Sequence, residues 1–227
     1  MSNLFKTLVY QPIFNALILL INLTGNLGVS VIILTVVFRL LLWPLFNKNE
    51  IMQHKMKKIQ PQVKEIQEKY KKDMQTQSQE LMKLYKENDI KTGSSFLFMI
   101  IQIVLLLALI NVFRIITQPQ FATYMYDFIK LTKDINYMFL TINLQAHSLI
   151  LAIVAALSQM VQGMVSLKAY PKNDPQRKTM LMITFFIPVI LIAFFKSFEA
   201  IIFLYWAVFN IISIIQTLYI QKTNKTQ

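Results

Sequence analysis

The chain has 227 residues, 55% of them hydrophobic, and a mean hydropathy of +0.48, a composition that excludes an ordinary soluble globule. Its 23 Lys and Arg against 11 Asp and Glu give a formal charge of +12; in a soluble protein that balance points to nucleic acid, but here the positions of the charges decide otherwise. The absence of cysteine excludes disulfide frameworks, thiolate chemistry, Cys-based zinc sites and Cys-anchored lipids.

In chain order, the first apolar run extends from Ile13 to Leu23, is interrupted by Asn15, and is followed by Gly25. As a helix it is about 16 Å long, too short for a hydrocarbon core of about 30 Å. Residues 1–27 are therefore expected to form an extracytoplasmic helix lying in the interface. A signal peptide fits less well, because Lys6 is the only basic residue before the run and no small-residue cleavage site follows it.

Five later stretches approach the roughly 17 to 25 apolar residues of a crossing helix: 28–46, 96–113, 149–167, 180–195 and 200–219. The fourth is short, but Lys178 and Lys196 flank it and can snorkel to the two interfaces. The linker 47–95 holds 11 Lys, 114–146 three basic residues, 168–178 four, the turn at Lys196 one, and the tail after Tyr219 two. The positive-inside rule then puts the N-terminus outside and the C-terminus in the cytoplasm. This gives an extracytoplasmic loop over 114–148, a cytoplasmic loop over 168–179 and a short cytoplasmic tail over 220–227.

Within the linker, Met52, Met56, Ile59, Val63, Ile66 and Tyr70 follow heptad steps, and Met74, Ser78, Leu81 and Tyr85 repeat them. Two antiparallel helices are predicted, turning near Asp73 to Gln77, with Pro61 kinking the first. The outward lysines serve as a solvated, topology-setting surface or as a basic face toward anionic lipid, ribosomal RNA or nascent chains; the residues alone do not separate these. The 12 methionines read first as seam and lipid-facing filler, and second as adaptable client contacts.

No Asp or Glu falls within a predicted span; Glu199 lies at the fourth turn. That argues against a carboxylate proton relay or an intramembrane metal site. His54 and His147, the two histidines, read as surface or interfacial residues, so no metal or cofactor is expected. Arg39 stands out, because a guanidinium toward the middle of a span costs about 2.5 to 3.5 kcal/mol. Either it snorkels or binds carbonyls, or it faces a wet cavity. Thr35 shares its face at four-residue spacing. Gln159, Gln162, Gly163 and Ser166 fall on one stripe of the third span, and Trp206, Asn210, Ser213 and Gln216 on one stripe of the fifth; Gln102 adds an amide in the second. Such residues serve interhelical hydrogen bonding, or together they line a shared hydrated groove.

Three segments carry a family resemblance. Residues 31–45, VIILTVVFRLLLWPL, resemble the first core helix of the YidC family of membrane-protein insertases. Residues 52–73, MQHKMKKIQPQVKEIQEKYKKD, and 81–87, LMKLYKE, resemble its cytoplasmic hairpin, and 205–216, YWAVFNIISIIQ, its last helix. The resemblance implies an all-α polytopic membrane protein: a five-helix bundle around a polar groove open to cytoplasm and lipid, with a cytoplasmic helical hairpin. It implies insertion and chaperoning of nascent membrane proteins in a bacterial cell membrane without bond-making chemistry, with the lipid bilayer, the ribosome and the Sec translocon as further partners and no DNA. By the same resemblance Arg39, Thr35, Gln159, Tyr205 and Trp206 match groove or client-contact positions, and Gln102 the family glutamine. Gln162, Asn210 and Ser213 join the expected client-binding groove from their stripes. The chain departs from the family at Lys91 and Thr92, where Asn-Pro is common, and at Ile103 and Val104, where a proline is common, so the second helix is expected to be straighter. The tail carries only Lys222 and Lys225, less than the basic tails that assist ribosome binding in some relatives. A small-solute transporter or channel is the rival reading; it would favour internal repeats or broken helix pairs, and neither is present.

Overall fold

A computed structural model describes residues 6–90, 92–116, 118, 120–167 and 175–223; the loop residues 168–174 and the tail residues 224–227 lie outside it. The fold is all-α. A π-helical turn, Lys6–Tyr10, leads into α1 (Gln11–Thr24). Helix α1 stops where Gly25 takes a φ of 70° and returns its N–H to the Ile21 carbonyl, a left-handed cap that glycine adopts at no steric cost. Asn26 caps α2 (Leu27–Leu41) by accepting from the Val29 N–H. Helices α3 (Trp43–Lys58), α4 (Gln60–Lys69) and α5 (Met74–Glu87) form the hairpin arm. Then follow α6 (Thr92–Ile116), an antiparallel pair β1 (Met138–Phe139) and β2 (Ile142–Asn143), α7 (Leu149–Leu167), α8 (Pro175–Ala193) and α9 (Ala200–Thr223).

Prolines move two of the expected boundaries. The stretch 28–46 is not one helix, because the chain breaks at Leu42. Pro44, in the first turn of α3, has no N–H to give the Leu40 carbonyl and is at home where a helix starts. Pro61 does the same in the first turn of α4, so the arm breaks at Ile59 instead of bending within one helix. Helix α6, expected to be straighter, runs unbroken over 25 residues.

Among the described residues, three helical stretches are long and apolar enough to cross a membrane: Thr7–Thr24, Leu149–Leu167 and Ala200–Thr223. Helix α2 and the stretches Leu106–Ile116 and Met180–Ala193 are apolar but shorter. The N-terminal segment was expected to be too short to cross. Continuing the helix back through the π turn lengthens it to 18 residues, so length alone does not exclude a crossing.

The core occupies one end of the bundle. Phe14, Leu17, Ile18 and Ile21 of α1, at helical spacing, are buried with Leu27 and Val31 of α2, Val112, Phe113 and Ile116 of α6, Ala152 and Ala155 of α7, and Ala200 to Leu204 of α9. This is the loop end. The first amides of α9 are satisfied there by the loop, Ala200 donating to Ala146 O (2.8 Å) and Ile201 to Leu144 O (3.1 Å). Burial pushes the Glu199 carboxyl up, while Arg114 and His147 pull it back down. Toward the hairpin end the buried residues turn polar: Thr35, Arg39, Asn210, Ser213, Gln216 and Thr217.

The long loop after α6 is tied along α1 by side-chain amides. Asn15 donates to Tyr124 O (3.1 Å) and accepts from Tyr126 N (2.8 Å). Asn22 donates to Lys130 O and accepts from Thr132 N, both at 2.8 Å. Asn26 donates to Met138 O at 2.7 Å. Each of the first two amides pairs with a C=O and with the N–H two residues on, as a neighbouring β-strand would. The residues that interrupt the first apolar run thus satisfy the backbone of a segment with little regular structure.

In the hairpin, Ile59, Val63, Leu84 and Ile90 are buried, with Met52, Met56, Ile66, Leu81 and Tyr85 packed against them. The expected seam holds on α4, but on α5 Met74 and Ser78 are exposed and Leu84 takes the central place. Asp73 caps α5 by accepting from Thr76 N (3.1 Å) and the Thr76 hydroxyl (2.5 Å), and Gln77 reaches back to Gln67 O at 3.0 Å.

Helices α7 and α8 cross at Gly163, where a Cβ would stand 2.5 Å from the Thr184 hydroxyl oxygen. Gly163→Val should cost about 1–3 kcal/mol through overpacking, read as a lower unfolding temperature in detergent. Asn15→Leu, which leaves the Tyr124 carbonyl and Tyr126 N–H without the amide, should cost about 1–3 kcal/mol and speed exchange at the Tyr126 amide. The Thr76 hydroxyl and N–H hold Asp73 below the usual carboxylate range. Its cap is therefore fully present above the unfolded value of about 3.9 and lost as pH falls through the lower folded value. Amide protection at Thr76 and Gln77 should stay level from neutral pH down to about 5 and drop only below about 4; Asp73→Ala should abolish the pH dependence and lower protection throughout.

Candidate functional site

Arg39 lies in the last turn of α2, where the C-terminal carbonyls favour a cation. Its side chain is 4% exposed. The guanidinium carbon sits 3.9 Å from the ring centroid of Phe46 on α3 and 4.4 Å from that of Phe209 on α9. Nη2 donates to the Ser213 hydroxyl at 2.5 Å, and that hydroxyl donates to the Phe209 carbonyl at 2.8 Å. Cation–π contacts shielded from water contribute about 2 kcal/mol and a hydrogen bond from a charged donor about 1.5–3 kcal/mol. Together these offset the cost of about 2.5–3.5 kcal/mol for a guanidinium at mid-span.

Tyr205 stacks obliquely on Phe209 (5.9 Å) and Phe113 (6.1 Å). Its buried hydroxyl makes no hydrogen bond among the described residues, and neither does the side-chain nitrogen of Gln216 further along α9. Thr35 borders the same space, but its hydroxyl donates to the Val31 carbonyl of its own helix at 2.7 Å. The cavity beside Arg39, lined by Thr35, Phe38, Phe46, Tyr205 and Phe209, measures about 10 Å³, room for roughly one water. The site is a small, nearly closed and largely apolar-walled space beside the guanidinium, completed by Leu42 and Leu109, with the unbonded Tyr205 hydroxyl among its lining residues.

A second polar chain runs between α7 and α9. Trp206 Nε1 donates to Gln159 Oε1 at 3.0 Å, Gln159 to Gln162 at 3.5 Å, and Gln162 to Ser166 at 3.4 Å. Asn210 donates to the Ser158 hydroxyl at 3.1 Å, which donates in turn to Ala155 O at 2.8 Å. Helix α9 joins the two groups, holding α7 through Trp206 and Asn210 and Arg39 through Ser213. The expected stripe on α7 divides, with Gln159 meeting α9 and Gly163 meeting α8. The Gln102 and His54 side chains lie outside the described residues.

Sequence reasoning missed Phe46, Phe209 and Ser158. Phe209 precedes Ser213 by four residues, so the hydroxyl that binds Arg39 and the ring that covers it share one face of α9; that spacing was a signal. Phe46 carried none, because the break at Leu42 changes the direction in which it points. Among the described residues no group of His, Asp or Glu could hold a metal ion.

Residues 19–227 match the family model described as 60Kd inner membrane protein. A protein named membrane protein insertase YidC from Syntrophobacter fumaroxidans is 30% identical over 224 residues, covering 95% of this chain and 38% of its own length. Its namesake from Wolinella succinogenes is 32% identical over 219 residues, 96% of this chain and 38% of its own length. One from Rickettsia bellii is 28% identical over 221 residues, 96% and 39%. The chain thus spans about two-fifths of the length of these relatives. Since the family match takes in residues 19–227, and with them α2, the hairpin arm and α9, the chain belongs to the 60Kd inner membrane protein family.

Proposed function

We propose that the chain is a membrane-protein insertase and chaperone, which lowers the cost of carrying a short polar client segment across a bacterial cell membrane and releases the client's apolar helix into lipid. The observation that carries this reading is Arg39, a permanent charge seated between two rings on different helices, with the buried Tyr205 hydroxyl in the same cavity and the Gln216 amide nitrogen further along α9 making no hydrogen bond among the described residues. A client segment entering between α3 and α9 would offer carbonyls and carboxylates to these donors. In hydrocarbon each unsatisfied backbone group costs several kcal/mol, and a carboxylate about 4 Å from the guanidinium gains about 4 kcal/mol at an effective dielectric near 20. The cavity would widen into a hydrated groove when occupied, with Arg39, Thr35, Gln102, Gln159, Gln162, Tyr205, Trp206, Asn210 and Ser213 as its client-facing set.

The polarity gradient supports a direction. The largest apolar cluster lies at the loop end, and the buried charge of Arg39 with Asn210, Ser213 and Gln216 lies toward the hairpin end. With the 11 lysines of the linker in the cytoplasm, the groove opens to the cytoplasm and the loop end lies outside. Five spans, with α1 on the outer surface, fit this arrangement. Asp127, Lys130, Lys133 and Asp134 belong to the loop tied along α1, and a crossing helix would drag those charges into hydrocarbon.

The test is insertion by the purified chain, reconstituted alone in liposomes, of a single-span client with an acidic translocated segment. Arg39→Ala should lower protease-protected client about tenfold, which corresponds to about 1.4 kcal/mol, and Arg39→Lys should retain an intermediate share. A client with a neutral segment should be less affected. Equal insertion of the acidic client by the alanine variant defeats the electrostatic role, and solute flux without client insertion favours a transporter.

A further inference from the structure

Leu140 is the most exposed large apolar side chain among the described residues, at 84%, and it occupies the turn between β1 and β2 with a φ of 53°. That left-handed conformation suits Gly, Asn or Asp; for a leucine it is strained. An unfavourable backbone carrying an apolar side chain away from its own core is a combination the fold does not use. The hairpin is nevertheless fixed in place. Phe139 packs so closely on the first turn of α2 that a Cβ on Gly28 would fall 2.5 Å from its ring, and Asn26 holds Met138 O.

The surroundings indicate what Leu140 meets. Met138 in the same hairpin is exposed, as are Leu19 and Leu23 of α1 and, running down α2, Val29, Val37 and Leu40. Lys133 donates to Leu23 O at 3.3 Å, setting an ammonium at the edge of this apolar set. We propose that the β1–β2 hairpin is a lipid anchor: Leu140, backed by Met138 and Leu23, enters the headgroup–acyl boundary of the leaflet at the loop end, and Lys133 meets phosphates there. The inference rests on the reading above that α2 crosses the bilayer. The exposed face of α2 is then lipid-facing, and the hairpin continues that face to the level where amphipathic contacts concentrate. A tip of this kind needs no shaped partner, only an apolar layer at fixed depth.

Because the chain lacks cysteine, a single Leu140→Cys carries an environment-sensitive fluorophore without background, and Gln145→Cys on the exposed loop serves as the aqueous control. Both full-length variants are reconstituted in phosphatidylcholine–phosphatidylglycerol vesicles. The label at 140 should emit further to the blue, be quenched several-fold more than the control by lipids carrying a nitroxide near the headgroup, and be shielded from aqueous iodide. Emission and quenching equal to the control overturn the anchor. Shielding from iodide without quenching by lipid also overturns it, and points to a protein surface or a second copy over the tip. Client insertion is measured in the same vesicles, so a failed anchor with intact insertion is distinguished from a failed insertase.

Discussion

A guanidinium does not shed its charge at any pH a membrane protein meets, so the surroundings of Arg39 must accommodate it permanently. They do so with two aromatic faces, one hydroxyl and the carbonyl end of its own helix. Each group comes from a different place in the chain: Phe46 from α3, Phe209 and Ser213 from α9, the carbonyls from α2. Holding this one charge therefore fixes how three helices approach one another at the hairpin end. Packing of ordinary apolar side chains does the same work at the loop end. Between them the bundle has an apolar cluster at one end and, at the other, a buried charge with Thr35, Asn210, Ser213 and Gln216 around it or along the same helices.

Much of this is legible in the sequence because it follows from periodicity and charge. The bounds of α7 are those of its apolar run, and α9 begins where its run begins. The burial of Arg39 follows from its neighbours, and the two-helix hairpin from its heptad steps. What escapes is set by local backbone chemistry. Pro44 and Pro61 stand where the chain breaks and a new helix starts, and on α5 Leu84 joins the expected Leu81 and Tyr85 in the seam while Ser78 is exposed. In the site, donors and acceptors on α9 can be listed from the sequence, but which neighbour each one meets depends on helix crossings. Gly163 illustrates the point, since its stripe is correct while the helix it faces is α8.

The asparagines of α1 and the capping of α9 by loop carbonyls address the same difficulty at the opposite end. Among its described residues the loop from α6 to α7 makes a short 3-10 turn (Phe121–Tyr124) and a two-residue strand pair, and the rest of its backbone has to be satisfied beside an apolar core. Asn15 and Asn22 supply hydrogen bonds that a strand would otherwise provide, and Ala146 and Leu144 answer the first amides of α9. Reading Asn15 only as an interruption of an apolar run overlooks that an amide side chain carries both a donor and an acceptor.

The break at Leu42 has a mechanical side. Phe46 is on α3, the same unbroken helix that carries the chain out to Lys58, about 24 Å along its axis. A rotation of α3 about that joint swings its far end through many ångströms and the ring over Arg39 through only a few, since Phe46 lies one turn from the pivot. The lever is therefore short at the arginine: a displacement of the arm's far end would reach the Phe46 wall of the cavity reduced to a fraction, where Phe46 meets Phe209 of α9 edge to face.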